Sequence, residues 1–157
     1  MKKTTLTAAQ YFVFWNHFVT AVKAGDGHTK DLDLEVYMTA AHLGKDPEEL
    51  FDMKRKDYEG IRLTPGQYAE YLQVFNAEAA NTPPPIEGCT PTDLSQLTMR
   101  QWSDANYLMQ NGDYLGCIAS TYAGEGFTLD KAKEELAATK AAEVFPYYLF
   151  FVNSMTS

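Results

Sequence analysis

Apolar residues recur along this chain at helical spacing, in segments that Gly, Pro and Asp residues separate. In one segment, Tyr68, Tyr71, Leu72 and Phe75 follow the i, i+3, i+4, i+7 order of a single helix face. No segment alternates apolar and polar residues between turn residues, as a half-buried strand would. The pattern therefore predicts an all-α protein, a compact multi-helix bundle of about six to seven helices.

The bounds of the predicted helices follow from where the apolar periodicity starts and stops. They are 8–23, 32–43, a segment from Pro47 that Gly60 ends, 65–80, 99–110, a short helix with Leu115, Ile118, Ala119 and Tyr122, and 129–142. The first is apolar nearly all round, so we expect it to be buried on more than one side. In the second, the predicted inward stripe is Leu32, Val36, Ala40 and Leu43. Pro146 is expected to kink or interrupt the last helix.

A motif of Leu, Thr, two variable residues, Gln and an aromatic residue occurs three times, at 6–11, 63–68 and 97–102. Thr is a good N-cap residue, and a Gln three positions later can bond back to the N–H of the cap, which completes a capping box. The flanking Leu and aromatic residues supply the matching hydrophobic staple. Each copy is predicted to begin a helix, and none indicates a chemistry.

A proline-rich segment, 81–91, interrupts the helical pattern near the middle of the chain. Its three consecutive prolines favour an extended polyproline conformation. The segment is either a hinge between helical sub-halves 1–80 and 92–157 or a tethered surface loop. We therefore interpret 1–157 as a single helical domain and leave both roles of the connection open.

The chain is acidic, with 13 Lys and Arg against 21 Asp and Glu and a net charge of −8. Because an acidic protein repels phosphate backbones, we do not expect it to bind nucleic acid. The basic run 54–56 is flanked by Asp52 and Asp57, so it is interpreted as a solvated helix face.

The chain begins Met1-Lys2-Lys3, and a signal peptide could start with such a positively charged stretch. However, Gln10, Asn16 and His17 interrupt the apolar stretch that follows, so we expect no secretory signal. The apolar runs are also too short to span a bilayer, and no membrane association is expected. These features predict a cytoplasmic protein.

Candidate metal-binding residues do not form a recognised motif. His17, His28 and His42 are too far apart for local metal binding. The stretch 26–35 resembles a calcium loop, but Lys30 stands at its fifth position and Asp31 where Gly is required. Glycine-rich phosphate loops and a GxSxG motif are also missing from the sequence. We therefore expect no catalytic, cofactor-binding or metal-binding residues.

The two cysteines, Cys89 and Cys117, show neither CxxC spacing nor metal-ligand spacing. The apolar neighbours of Cys117 favour an inert core thiol. A reducing compartment is the simpler interpretation, although a disulfide and the proximity of the two thiols stay open.

The most apolar part of the sequence is its C-terminal stretch, 145–152. One interpretation is a core helix that closes the domain. The other is an exposed surface that binds a protein partner or a second copy of the chain, with contacts from Tyr147, Tyr148, Phe150 and Phe151.

Three features together resemble the small all-helical tail assembly chaperones and related tail-morphogenesis proteins of long-tailed bacteriophages. They are the three Leu-Thr-x-x-Gln-aromatic helix starts, the short helix pair around Asn111-Gly112-Asp113, and a C-terminal helix that ends in Phe150-Phe151-Val152-Asn153-Ser154. Such proteins lack a catalytic site and keep an aggregation-prone tape measure or tail-tube protein soluble during assembly. The resemblance implies a non-enzymatic chaperone that binds apolar or helical segments of such a partner and uses no cofactor.

Two other functions are open at this stage. A structural virion subunit, such as a neck, ring or connector protein, would use the aromatic C-terminal stretch as a subunit interface. A small helical enzyme would need a cluster of titratable groups, which the sequence does not show.

Overall fold

The computed structural model describes residues 6–25 and 31–156 of the chain. These residues form nine α-helices, a two-stranded sheet and a short 3-10 helix at Leu94–Gln96. The helices are α1 (Ala8–Ala24), α2 (Asp31–Leu43), α3 (Pro47–Phe51), α4 (Arg55–Glu59), α5 (Pro65–Phe75), α6 (Met99–Gln110), α7 (Tyr114–Ala119), α8 (Leu129–Ala138) and α9 (Ala141–Thr156). The strands are β1 (Thr90–Pro91) and β2 (Tyr122–Ala123). The all-α prediction is confirmed.

Two sequence-based interpretations fall outside the described residues. They concern the signal-like start Met1-Lys2-Lys3 and the Asp26-Gly27-His28 part of the calcium-like stretch. Gly25, just before that gap, has a φ of +72°, the left-handed conformation expected at a helix C-terminus.

The chain divides into two compact units. One, the N-terminal unit, is Gln10–Phe75, and the other, the C-terminal unit, contains described residues 6–9 and 76–156. This division differs from the predicted sub-halves 1–80 and 92–157. Residues 6–9 belong with the C-terminal residues, and the proline-rich segment 81–91 lies inside the C-terminal unit and not between two halves.

The third predicted helix is two helices, α3 and α4, because Lys54 between them has an extended backbone. Leu50 of α3 and Tyr58 of α4 both pack with Val36 and Ala40 of α2 in the N-terminal unit. In one continuous helix Tyr58 would lie about 80° around the axis from Leu50, since eight residues advance a helix by a little over two turns. The break lets both side chains reach the same cluster.

Helix α1 packs aromatic side chains against α5 within the N-terminal unit. Tyr11, Phe14 and Phe18 lie against Tyr71 and Phe75 with ring centroids 5.3–6.4 Å apart, which is the range of favourable edge and tilted contacts. The burial of Tyr11, Phe12 and Phe14 agrees with the expectation that α1 is buried on more than one side, although its apolar residues Val13 and Val22 are exposed.

Helix α2 buries an unbroken run of residues, 34–41. Both α3 and α5 pack against this helix, so positions on more than one face are covered. The predicted stripe is therefore wrong at its ends: Val36 and Ala40 are buried, but Leu32 and Leu43 are exposed.

Helix α7 lies at the centre of the C-terminal unit. It contacts α6, α8 and α9, and its residues 116–119 are all buried. Asp113 caps its N-terminus by accepting the N–H of Gly116 at 2.9 Å, and Lys133 of α8 pairs with the same carboxylate at 2.7 Å. The cap and the ion pair together tie α7 to α8.

The last predicted helix is also two helices, α8 and α9, and the break is not at the predicted proline. The carbonyl of Thr139 accepts the N–H of Ala8 at 2.8 Å, and the N–H of Ala141 donates to Leu6 at 3.0 Å. This pairing with the N-terminal residues interrupts the helix at 139–140. Pro146, which was expected to cause the interruption, lies inside α9.

The proline-rich segment is held by hydrogen bonds and a short sheet within the C-terminal unit. The N–H of Ala80 donates to the carbonyl of Pro146 at 3.0 Å, so this alanine is not helical and α5 ends five residues before the predicted bound. The hydroxyl of Tyr122 donates to the carbonyl of Pro84 at 2.6 Å. Strands β1 and β2, which were not predicted, pair antiparallel, and β1 is the C-terminal end of this segment.

The capping boxes predicted at the second and third motif copies are confirmed. Thr98 and Gln101 form the complete capping box at the start of α6. Thr64 and Gln67 exchange the same pair of bonds, at 3.0 and 3.2 Å, at the start of α5. At the first copy, α1 begins at Ala8 as predicted, and Thr7 also forms an isolated bridge with Lys140.

Candidate functional site

The four residues predicted to bind a partner do not share one environment. Tyr147, Tyr148 and Phe151 are only 1%, 4% and 0% exposed, while Phe150 is half-buried. From Val144, the first three occupy the i+3, i+4 and i+7 positions, which form the inward face of α9. Their burial corresponds to the core-helix interpretation, and Phe150 is the member of the set that keeps appreciable surface.

The buried members of this set make specific ring contacts. The ring of Tyr148 meets that of Tyr114 of α7 edge-on, with centroids 5.6 Å apart. The ring centroids of Phe151 and Trp102 of α6 are also 5.6 Å apart. Burial raises the pKa of the Tyr147 phenol. Because these side chains hold α9 against α6 and α7, they are part of the packing of the C-terminal unit.

A cleft of about 520 Å³, the Trp102 cleft, lies beside the exposed edge of α9. Its lining residues are Asn81, Pro83, Pro91, Thr92, Asp93, Leu94, Ser95, Trp102, Tyr147, Phe150 and Ser154. The lining therefore combines the aromatic residues Trp102 and Phe150 with two prolines, while the side chain of Tyr147 is almost wholly buried. The rings of Tyr147 and Phe150 are nearly parallel, with an interplanar angle of 21° and centroids 6.4 Å apart.

The charged residue that lines the Trp102 cleft is Asp93. Its carboxylate accepts hydrogen bonds from the backbone N–H and the hydroxyl of Ser95, both at 2.9 Å. These bonds favour the ionised form and hold the pKa of Asp93 below its usual range. The cleft therefore combines an aromatic surface with a negative charge at neutral pH.

A second cleft of about 600 Å³, the Phe127 cleft, lies on the same unit. Its lining residues are Gln101, Asp104, Tyr107, Leu108, Ser120, Tyr122, Ala123, Gly124, Phe127 and Leu129. Tyr107 is 66% exposed although it is a large aromatic residue, and Phe127 and Leu129 are half-buried. Both clefts fall within the size range of about 300–1,000 Å³ that is usual for ligand sites.

Acidic residues dominate the part of the chain that carries both clefts. Residues 76–157 contain ten Asp and Glu but only four Lys and Arg. At the Phe127 cleft, Asp104 is in the lining, and Glu125 and Asp130 directly follow lining residues Gly124 and Leu129 in the chain. A ligand with positive charge next to its apolar surface therefore suits either cleft.

The N-terminal unit contains a buried polar cluster around Glu35. Arg62 donates to both oxygens of the Glu35 carboxylate, at 3.1 and 2.6 Å, and the hydroxyl of Tyr58 donates to it at 2.6 Å. Thr39 lies 3.2 Å from the same hydroxyl. Burial, reinforced by Glu35, raises the pKa of Tyr58 to about 12. These partners satisfy the carboxylate, so the cluster is best explained as structural.

Two further reactive groups among the described residues are the imidazole of His17 and the thiol of Cys117. His17 is half-buried beside Asp46; burial lowers the pKa of its imidazole and the nearby carboxylate opposes that shift. Burial raises the pKa of the Cys117 thiol to about 12, and neither cysteine is in a disulfide. Within residues 6–25 and 31–156, no three His, Cys, Asp or Glu side chains are close enough together to hold a metal ion.

Two of the residues predicted to bind a partner, Tyr147 and Phe150, belong to the lining of the Trp102 cleft, but sequence reasoning predicted neither cleft. The Phe127 cleft joins residues of α6, β2 and α8 that are up to 28 positions apart, and no local pattern marks them. The Glu35 cluster is similar, because Arg62 lies 27 residues away from its partner. The one local signal of the Phe127 cleft was the aromatic residue Tyr107 within a largely polar helix.

Among the described helices, none has both the length and the apolar character needed to cross a bilayer. No protein-family model matches this chain, and no curated protein or solved structure is significantly similar to it.

Proposed function

We propose that this chain is a non-enzymatic protein-binding protein that acts in the cytoplasm as a morphogenesis chaperone of the phage tail type. Its partner would be a tail protein, such as a tape measure or tail-tube protein, as the sequence resemblance implies. The binding site would be the Phe127 cleft. The observation that carries the proposal is the 66% exposure of Tyr107 at an apolar cleft of about 600 Å³.

The side chains of this cleft suit an apolar helical segment of a partner. Leu108, Phe127 and Leu129 offer an apolar surface, which a helix with apolar residues at i, i+3, i+4 and i+7 could cover. Tyr107 adds a large amphipathic ring of the kind that is enriched at binding interfaces. Asp104 and the acidic residues next to the cleft favour a segment whose flanks carry Lys or Arg.

The test replaces Tyr107 with the photo-crosslinking amino acid benzoylphenylalanine and irradiates the protein in the lysate of cells that produce it. We expect a crosslink to one partner, identified by mass spectrometry, and loss of binding to that partner in Tyr107→Asp. Because Tyr107 is largely exposed, Tyr107→Asp should keep the helical circular dichroism and thermal midpoint of the wild type.

The matched control places the same crosslinker at Val22, an exposed apolar residue of α1 in the other unit. Equal labelling from both positions, or none from Tyr107, contradicts the proposal.

The composition of the finished particle distinguishes the two morphogenesis roles. If the finished particle contains the partner but not this chain, the chaperone role is supported. If the particle also contains this chain, the structural role is supported.

A further inference from the structure

We infer that the Trp102 cleft binds an extended, proline-rich peptide segment that carries an Arg or Lys beside its prolines. This site is separate from the Phe127 cleft, so the inference goes beyond the proposed function and does not depend on it. A proline-rich segment adopts the polyproline II conformation before it binds, and aromatic-lined grooves recognise that conformation at low entropic cost.

The first argument is the shape and chemistry of the lining. The half-buried rings of Trp102 of α6 and Phe150 of α9 offer flat apolar surface at the cleft, and the buried ring of Tyr147 lies nearly parallel to that of Phe150. Pro83 and Pro91 also belong to the lining. Proline rings on a threefold polyproline helix are flat and apolar, and they can stack on such surfaces.

The second argument is the balance of hydrogen-bond groups. A proline has no backbone N–H, so a proline-rich ligand offers carbonyl acceptors and needs donors from the protein. The side-chain amide of Asn81, the hydroxyl of Thr92 and the indole N–H of Trp102 belong to residues of the lining and are all of the required type. An α-helical ligand would not use them, because its backbone carbonyls are already bonded within the helix.

The third argument is charge complementarity. Asp93 is ionised at neutral pH, and the described lining of the cleft contains no Lys or Arg to neutralise it. The surrounding unit carries a clear excess of Asp and Glu. A cation next to the prolines of the ligand would therefore be attracted to this end of the cleft, whereas an acidic ligand would be repelled.

The fourth argument is that this unit already packs a proline run of its own beside the cleft. Pro84 is buried, and its carbonyl accepts the hydroxyl of Tyr122 at 2.6 Å. The preceding residue, Pro83, continues into the lining of the Trp102 cleft. A proline-rich ligand in the cleft would thus lie next to this proline run.

The test uses Trp102 as the reporter. The chain has two tryptophans, so Trp15→Phe leaves Trp102 as the single source of tryptophan fluorescence. The probe is a blocked polyproline peptide that ends in two arginines. We expect a saturable change in the emission of Trp102 with this probe. A Gly-Ser peptide of the same length and charge should give none.

Two conservative variants test the assignment without risk to the fold. Asp93→Asn keeps an N-cap side chain for the 3-10 helix but removes the charge, so the affinity for the arginine probe should fall about two- to five-fold, the effect of an exposed ion pair. Its affinity for an uncharged polyproline peptide should not change. The matched control, Asp104→Asn in the Phe127 cleft, should leave both affinities unchanged.

Several outcomes would overturn the inference. They are the absence of a saturable signal with the arginine probe, equal binding of the Gly-Ser peptide, and equal effects of the two Asp→Asn variants. Concentration-dependent self-association without any response to the probe would instead make this cleft an interface between copies of the chain. The crosslinking experiment at Tyr107 tests the Phe127 cleft and the peptide titration tests the Trp102 cleft. One proposal can therefore be contradicted while the other is supported.

Discussion

Glu35 and Arg62, 27 residues apart in the chain, form a two-point ion pair that the hydroxyl of Tyr58 completes from a third side. Glu35 is buried, whereas the Arg62 side chain is partly exposed. A buried carboxylate is costly unless it is paired and hydrogen-bonded, and here both conditions are met. The cluster joins α2 to α4 and to the residues that precede α5, so we expect it to stabilise the N-terminal unit.

Replacing Glu35 with Gln tests this role. The amide keeps the shape of the side chain but removes its charge, so the charge-assisted bonds from Arg62 and Tyr58 are weakened. We expect the free energy of unfolding to fall by about 1.5–3 kcal/mol, the range for hydrogen bonds to charged groups. The measurement is the midpoint of urea unfolding at neutral pH, with an unchanged m-value.

The control for this variant is Glu49→Gln. Glu49 pairs with Lys45 at 3.4 Å, but both side chains are exposed, and exposed pairs contribute little to stability. The two substitutions make the same chemical change in different surroundings. An equal shift of the urea midpoint in both variants would show that the Glu35 cluster has no special stabilising role.

The raised pKa of Tyr58 predicts a loss of stability at alkaline pH. Burial and then Glu35 raise this pKa from 10.0 to about 12, so the folded state holds the phenol proton more tightly than the unfolded state does. The stabilisation is complete below about pH 10 and is lost as the pH rises towards about 12. Tyr58→Phe should make the decline of unfolding free energy over this interval shallower, which urea titrations across the interval would measure.

Burial raises the phenol pKa of five further tyrosines: Tyr11, Tyr71, Tyr114, Tyr122 and Tyr147. Tyr58→Phe should therefore reduce the alkaline decline without abolishing it. An unchanged slope in Tyr58→Phe would contradict the role given to Tyr58. Ultraviolet titration of the folded protein gives an independent check, because at least these six tyrosines should resist ionisation until the chain unfolds.

Gly116 is expected to be one of the least tolerant positions in the C-terminal unit. A Cβ at this residue would lie 2.7 Å from Cγ and 2.8 Å from Oδ1 of Asp113, the side chain that caps α7. Gly116→Ala should therefore displace the cap and its bond to Lys133. We expect a loss of about 1–3 kcal/mol of unfolding free energy, typical of overpacking, measured by urea denaturation.

Gly66→Ala supplies the opposite result as a control. A Cβ at Gly66 of α5 would meet Thr64 Oγ1 only at 4.0 Å, which is ordinary contact. Alanine favours a helix more than glycine does, so this variant should unfold at a slightly higher urea concentration than the wild type. If both substitutions shifted stability in the same direction, the clash with Asp113 would not be the cause.

The sequence predicted helix starts better than helix ends. The bounds of α6 were predicted correctly because Thr98 and Gln101 fix its start by bonds within four residues, which a local pattern can show. The end of α5 and the break before α9 depend on bonds to distant segments, through Ala80 and Thr139. No propensity within the segment 76–80 reveals that Ala80 will donate to Pro146.

The candidate site was predictable only in part, for a related reason. The high aromatic content of α9 is plain in the sequence, but which rings face inward depends on how α7 and α6 cover the helix. That packing buries Tyr147, Tyr148 and Phe151 and leaves Phe150 at the Trp102 cleft. The Phe127 cleft requires α6, β2 and α8 to meet, which is a property of the tertiary structure.

The two cysteines should differ sharply in reactivity. Cys117 is fully buried in α7, and burial, with Asp113 nearby, raises its thiol pKa to about 12, whereas Cys89 is half-exposed. Because the thiolate is the nucleophile, a disulfide reagent at about pH 8 should modify one thiol per folded chain rapidly and the second only in urea. Cys89→Ser should abolish the rapid phase and Cys117→Ser should preserve it. Two rapid thiols in the wild type would mean that α7 opens readily, which is incompatible with its place at the centre of this unit.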